Sequence, residues 1–245
     1  MSYFPAKRKY LVKSDNGLNE VILNLEKIDE RELYTSFVQE NVKGEILEED
    51  IGYIALNSMG GSLAEFETEF FKVEHLPYLI VDVRQNGGGN SALSEEILAY
   101  LIEKPQEACV SRRVILPHQN YYKGKLILLT GVGTGSAAES FALDIKESES
   151  AIIVGMPTAG DTGNGPQTLS VNGIYGSPPD GGSELRNIKF RIPTRKPPQI
   201  SPKGFPMEGI GIPPDYYVAP NVEDYLNNAD GTLEFTIALI RNGEI

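Results

Sequence analysis

Cysteine, histidine and tryptophan are nearly missing from this chain of 245 residues: Cys109 is the single cysteine, His75 and His118 are the two histidines, and there is no tryptophan. One cysteine excludes a disulfide framework within the chain, and three Cys and His side chains are too few for a zinc site built from them. A basic excess is missing as well. Lys+Arg 22 against Asp+Glu 34 leaves a net charge of −12, and without a run of cations to release counterions no nucleic-acid partner is expected. No stretch approaches the roughly 18 uninterrupted apolar residues of a membrane helix, and residues 1–8 lack the apolar segment of a secretory signal. What is present, 40% hydrophobic residues, suffices for a folded core.

The order of apolar runs predicts an α/β fold. Residues 1–50 read as an N-terminal arm, with short strands at Tyr10-Leu11-Val12 and Val21-Ile22-Leu23-Asn24-Leu25 around Asp15-Asn16-Gly17, a strong reversal signal. An acidic segment, 45–50, leads into a strand at Ile51-Gly52-Tyr53-Ile54-Ala55-Leu56, where the core over 51–245 begins. Tyr78-Leu79-Ile80-Val81-Asp82-Val83, Leu126-Ile127-Leu128-Leu129-Thr130 and Ala151-Ile152-Ile153-Val154 are continuous apolar runs, as expected of strands buried on both faces. Between them, Leu93, Ile97, Leu98 and Leu101, and then Ala137, Phe141 and Ile145, recur at helical spacing, with Ser91 as an expected cap of the first helix. Strand, glycine-rich turn, helix, strand is the rhythm of βαβ units and a largely parallel sheet with flanking helices. Residues 223–240 read as a closing helix interrupted near 228–231.

In such sheets ligands bind at the carboxyl ends of the strands, and two turns there are unusual. Asp82-Val83-Arg84-Gln85-Asn86-Gly87-Gly88-Gly89 carries three successive glycines, which bare their N–H groups to another backbone or to an anionic oxygen, or simply reverse the chain. Thr130-Gly131-Val132-Gly133-Thr134-Gly135-Ser136-Ala137-Ala138-Glu139 surrounds Ser136 with small residues at the start of a helix. There Ser136 is either an exposed nucleophile in a sharp turn or an N-cap whose capping box Glu139 completes.

Taken in order, these turns, Val154-Gly155-Met156-Pro157-Thr158-Ala159-Gly160 and Gly209-Ile210-Gly211-Ile212-Pro213-Pro214-Asp215 resemble the motifs of the C-terminal processing peptidases, family S41, in the branch that includes the tricorn core and the retinoid-binding repeats. The resemblance implies a ClpP/crotonase-like core and a serine peptidase in which Ser136 forms an acyl-enzyme on a peptide or protein substrate. The N–H of Ala137, with that of Gly88 or Gly89, would form the oxyanion hole. It implies no metal and no organic cofactor, and a cell-envelope or secreted setting. Many members add a PDZ domain, for which this chain has no room.

The resemblance fails at the base. The family's lysine falls at Asp161, 161 − 136 = 25 residues after the serine, and the glutamine that follows it is matched by Gln167 across a two-residue insertion. An aspartate with an ordinary pKa near 3.9 is a weak acceptor for a serine proton at neutral pH. Gln167 is expected beside the substrate, and so is His118, in a loop ahead of the second buried strand, if that loop folds over the top of the site; otherwise His118 is a solvated surface histidine. His75 precedes the first buried strand, at the wrong end. The alternative is a non-proteolytic module that binds a peptide or an apolar ligand on the same fold.

Overall fold

The computed structural model describes residues 7–14, 17–24, 40–48, 50–162, 166–174, 185–193, 200–206, 208–227 and 229–245. They fall into two compact units, residues 1–40 and 41–245. In the first, β1 (Lys7–Ser14) and β2 (Gly17–Asn24) pair antiparallel with Ser14 opposite Gly17, and the reversal expected at Asp15-Asn16 lies outside the described residues.

The second unit is built on a six-stranded sheet. Its strands are β3 (Val42–Glu48), β4 (Ile51–Leu56), β5 (Tyr78–Asp82), β8 (Lys125–Thr130), β9 (Ala151–Gly155) and β12 (Tyr216–Tyr217), in the order β12-β9-β8-β5-β4-β3. All pairs are parallel except β3 with β4. The sheet therefore begins ahead of residue 50, where the sequence ends the arm. The reason is that β3, with Lys43, Glu45 and Glu48 along its length, is a charged edge strand whose polar side chains disguise it.

Alternate residues of each central strand face opposite layers, which is why those strands are apolar throughout. On one face Ile54, Leu79, Val81, Leu126, Leu128 and Ile153 pack with three helices: α1 (Leu63–Val73), α2 (Ser91–Ala99) and α3 (Ala137–Ser148). On the other face Ile51, Ile80, Ile127, Leu129 and Val154 meet Leu239 and Ile240. These belong to α5 (Gly231–Arg241), which follows the short α4 (Val222–Leu226) after the interruption that the sequence predicts. The cap of α2 is Asn90 rather than Ser91: its side chain accepts the Ala92 N–H at 3.0 Å, and Ser91 is the first helical residue. Two ribbons complete the unit: β6 (Gln106–Glu107) with β7 (Val114–Ile115), and β10 (Pro166–Ile174) with β11 (Leu185–Pro193). Among the described residues no helix is long and apolar enough to cross a membrane.

Candidate active site

Because β4, β5, β8 and β9 run parallel, the turns that leave them emerge on one edge of the sheet: 57–62, 83–90, 131–136 and 156–162. Two fully buried polar side chains lock them together. Asn86 Nδ2 donates to the Leu56 carbonyl at 2.9 Å, its Oδ1 accepts the Gly88 N–H at 2.9 Å, and its carbonyl accepts the Gly135 N–H at 3.0 Å. Thr134 Oγ1 donates to the Val83 carbonyl at 2.8 Å and accepts the Gly131 N–H at 3.1 Å, while its carbonyl accepts the Ala159 N–H at 2.9 Å. A buried polar group left without such partners is costly, so these bonds fix the relative position of the turns.

Gly88 has φ +105 and Gly89 φ +141, conformations that a side chain resists. Space excludes a side chain as well. A Cβ on Gly88 would stand 2.6 Å from Ser136 Cβ and 2.9 Å from the Ala137 nitrogen, and one on Gly89 would stand 2.6 Å from the Met59 carbonyl carbon. The glycine turn thus lies directly against the serine turn, and the missing side chain at 88 leaves the Ala137 N–H open. Among the described residues no acceptor meets the N–H of Ala137 or of Gly89.

Ser136 does not cap α3. Its backbone has φ 52 and ψ −124, its side chain makes no cap hydrogen bond, and the residue is half-buried at the head of the helix. A non-glycine residue held at positive φ is strained and persists only where its surroundings over-determine it. Here the Ser136 N–H donates to the Asp161 carbonyl at 2.5 Å. Glu139, 1% exposed, turns away from the helix start. Its Oε1 accepts the Thr158 hydroxyl at 2.8 Å and the Gly160 N–H at 3.0 Å, and its Oε2 accepts the Asp161 N–H at 2.7 Å. Burial raises the Glu139 pKa, and those three donors partly offset the rise. Serine, Asp161 and Glu139 therefore close a ring that holds the strained turn.

The sequence-predicted residues divide into two groups. Gly88, Gly89, Ser136, Ala137 and the backbone of Asp161 come together. The Asp161 side chain is exposed, its backbone bridges antiparallel to Glu208, and the neighbouring Thr162 hydroxyl donates to Glu208 Oε1 at 2.7 Å. His118 stacks on Tyr100 beyond the C-terminal end of α2, with ring centroids 4.0 Å apart, and its N–H donates to the Ala99 carbonyl. It sits where α2 ends, whereas the glycine turn sits where α2 begins. His75 is exposed between α1 and the amino end of β5. Gln167 lies on β10 opposite Ile192, and its side chain is outside the described structure. Lys146, ten residues and so about 15 Å along α3 from Ser136, donates to the Pro213 carbonyl at 3.0 Å. Among the described residues the Ser136 hydroxyl has no hydrogen-bonded base, and no group of Cys, His, Asp and Glu is arranged to hold a metal ion.

Sequence reasoning assigned no role to Asn86 or Thr134 and took Glu139 for a capping partner. For Asn86 a signal existed, since an Asn two residues before a glycine commonly accepts that residue's N–H. Arg84 forms a further support: its guanidinium spans Asp82 at 2.6 Å and Asp230 at 2.6 Å and so ties the glycine turn to the head of α5. Burial lowers the Arg84 pKa, and the two carboxylates reverse that into a net rise. Beside this pair a cavity of about 490 Å³ is lined by Val132, Met156, Val218 and Pro220 among others.

Comparison with known proteins locates the same region. The profile of peptidase family S41 matches residues 50–218. The tricorn protease of Thermoplasma acidophilum is 29% identical over 205 residues, which are 82% of this chain and 17% of that protein. The crystal structure of the tricorn protease shares 26% identity at a TM-score of 0.54 and covers 79% of this chain and 18% of that one. Mature CPAF, solved with lactacystin, gives a TM-score of 0.64 over 97% of this chain and 69% of that one; at 13% identity this likeness concerns the fold alone. The chain thus spans less than a fifth of the tricorn sequence that it matches. The glycine turn, the strained serine and the segment that pins it all lie within the matched span, and the chain belongs to peptidase family S41.

Proposed function

We propose that this protein is a serine peptidase that cleaves peptide bonds through an acyl-enzyme on Ser136. The observation that carries this reading is the backbone of Ser136: φ 52 and ψ −124 with no capping bond. That is the cost of presenting a hydroxyl at a strand-to-helix turn, and it serves no capping purpose. In the reaction Ser136 Oγ bonds to the scissile carbonyl carbon as its proton passes to a base. The oxyanion takes up N–H donors at the head of α3, from Ala137 and from the glycine turn, and the helix dipole adds to them. Collapse breaks the C–N bond, the amine leaves with the proton, and water then releases the acyl group by the same route. The cavity beside residues 131–133, lined by Val132, Met156, Val218 and Pro220 together with Arg84, Asp224 and Asp230, would take a side chain of the substrate. Asp161 stands where the family's lysine acts as base, and its carboxylate is the candidate acceptor.

A second reading, a binding module without turnover, has an observation in its favour. The histidines, Lys146 and the exposed Asp161 side chain make no hydrogen bond to the Ser136 hydroxyl. A serine-directed fluorophosphonate separates the two. Covalent labelling of the native chain between pH 6 and 9, absent in Ser136→Ala, is expected for the peptidase; an unlabelled native chain that stays folded leaves only the binding module.

A further inference from the structure

We propose that Asn86 is the positioning residue of the oxyanion hole: it commits the Gly88 N–H to its own side chain and thereby makes Gly89, with Ala137, the pair of donors that face the reacting oxygen. This rests on the peptidase reading of Ser136 and deepens it by choosing between the two glycines.

The hydrogen-bond pattern makes the choice. Gly88 donates to Asn86 Oδ1 at 2.9 Å, so its N–H is spent. The carbonyl of Gly88 is spent as well, because it accepts the Met59 N–H at 3.0 Å, and the Asn90 N–H returns to the Met59 carbonyl at 2.8 Å. These two bonds form a parallel bridge between Met59 and Gly89. In a parallel bridge the neighbours of the bridged residue point toward the partner strand, and its own N–H points the other way. The Gly89 N–H is therefore turned from Met59, and among the described residues it has no acceptor. What Gly88 contributes is space: its bare α-carbon lies against Ser136 and the Ala137 nitrogen, where a Cβ would stand at 2.6 and 2.9 Å.

Asn86 is suited to hold this arrangement because each of its polar groups is used and none is exposed. Nδ2 grips the end of β4 through the Leu56 carbonyl, Oδ1 grips the glycine turn, and the main-chain carbonyl grips Gly135, the residue before the nucleophile. One side chain thus sets the distance between the two halves of the hole. A donor aimed before the charge develops needs no reorganisation when it does, and losing such alignment costs about 100-fold or more in rate.

The test is the saturation kinetics of fluorophosphonate labelling, expressed per folded molecule, for the native chain, Asn86→Ala and Asn86→Asp. Asn86→Ala should lower the limiting rate by about 100-fold while changing the half-saturating probe concentration little. In Asn86→Asp a protonated carboxyl has the shape and the donor of the amide, and burial favours that form. Its rate should therefore approach that of the native chain as pH falls and drop away as pH rises. A purely structural role would move the melting temperature and the folded fraction, not the limiting rate per folded molecule or the pH dependence of the ratio. Labelling of Asn86→Ala at the native rate, or a ratio of Asn86→Asp to native that does not change with pH, overturns the proposal while the peptidase reading stands. If the native chain takes no label, both fall.

Discussion

The chain carries the pattern Ser-x-x-Glu at the head of two helices, and it does opposite things in them. At Ser62-Leu63-Ala64-Glu65 the serine has extended backbone, φ −123 and ψ 158, accepts the Glu65 N–H at 3.4 Å, and has its own N–H taken up by Glu65 Oε2 at 2.8 Å. This is a capping box, exposed to solvent and local to α1. At Ser136-Ala137-Ala138-Glu139 the serine N–H goes instead to the Asp161 carbonyl, and the buried glutamate reaches Thr158, Gly160 and Asp161. The difference lies in what stands opposite. Among the described residues only Asn41 Nδ2, 3.5 Å from Glu65 Oε2, reaches the first box, whereas the turn after β9 brings three donors and one acceptor to the head of α3, and together they outweigh the two bonds of a box. The strain at Ser136 is stored by a neighbouring strand connection and not by its own four residues.

The sharpest way to break this comparison is one chemical change made in both places. Glu139→Gln turns at least one amide N–H against a donor that the carboxylate accepted, at a side chain only 1% exposed. A loss of roughly 2–3 kcal/mol in unfolding free energy is expected. Asp161 also loses the bond that holds its carbonyl under the Ser136 N–H, so fluorophosphonate labelling should fall by about 100-fold or more. Urea unfolding together with labelling rates checks both. A variant with native stability and labelling would mean that the ring through Asp161 does not hold the serine.

That one pattern has two outcomes also shows how far the sequence could be read. The doubly buried strands announce themselves as apolar runs, and Ala137, Phe141 and Ile145 announce α3, because burial on both faces or along one stripe leaves a periodic trace. The edge strand β3 leaves none, since its charges exist to keep it unpaired on one side. The helix α1 could have been found: Phe66, Phe70 and Val73 recur along its buried face behind a true capping box. The motif positions of Gly88, Gly89, Ser136 and Ala137 were legible because small residues in a row are rare and have few uses. Glu139 was not, because its partners lie 19 to 22 residues away in a turn whose path depends on the whole sheet. The position of His118 was hidden for a similar reason: a loop histidine says nothing of which end of α2 it will reach.

A second buried acid on α3 sharpens what those donors do for Glu139. Asp144 accepts the Cys109 N–H at 2.7 Å, and burial pushes its pKa up to about 7. Because the folded-state value lies above the ordinary 3.8, the native state holds its proton longer, and stability falls as pH rises from about 4 to about 7. Asp144→Asn keeps the acceptor and removes the titration. Its unfolding free energy relative to the native chain should therefore rise between pH 5 and pH 8 by on the order of 2 kcal/mol. A difference that stays flat across that interval would mean that Asp144 is ionised at pH 5 as it is at pH 8.

The smallest effects belong to the ordinary box, and they calibrate the rest. Ser62→Ala removes the side-chain acceptor for the Glu65 N–H, an exposed bond that water can replace, so a loss of about 1 kcal/mol is expected. Glu65→Gln should cost only a few tenths of a kcal/mol, because a glutamine oxygen serves a capping box nearly as well as a carboxylate. Ser62 ends the 57–62 turn of the same edge, but neither side chain makes a bond to Met59 or to the glycine and serine turns, so labelling of Ser136 should stay at the native rate in both. The ratio between Glu139→Gln and Glu65→Gln is then the measure of the comparison. If the two substitutions cost the same and leave labelling alike, the glutamate of α3 is a helix cap after all, and the positive φ of Ser136 must be held by the glycine turn alone.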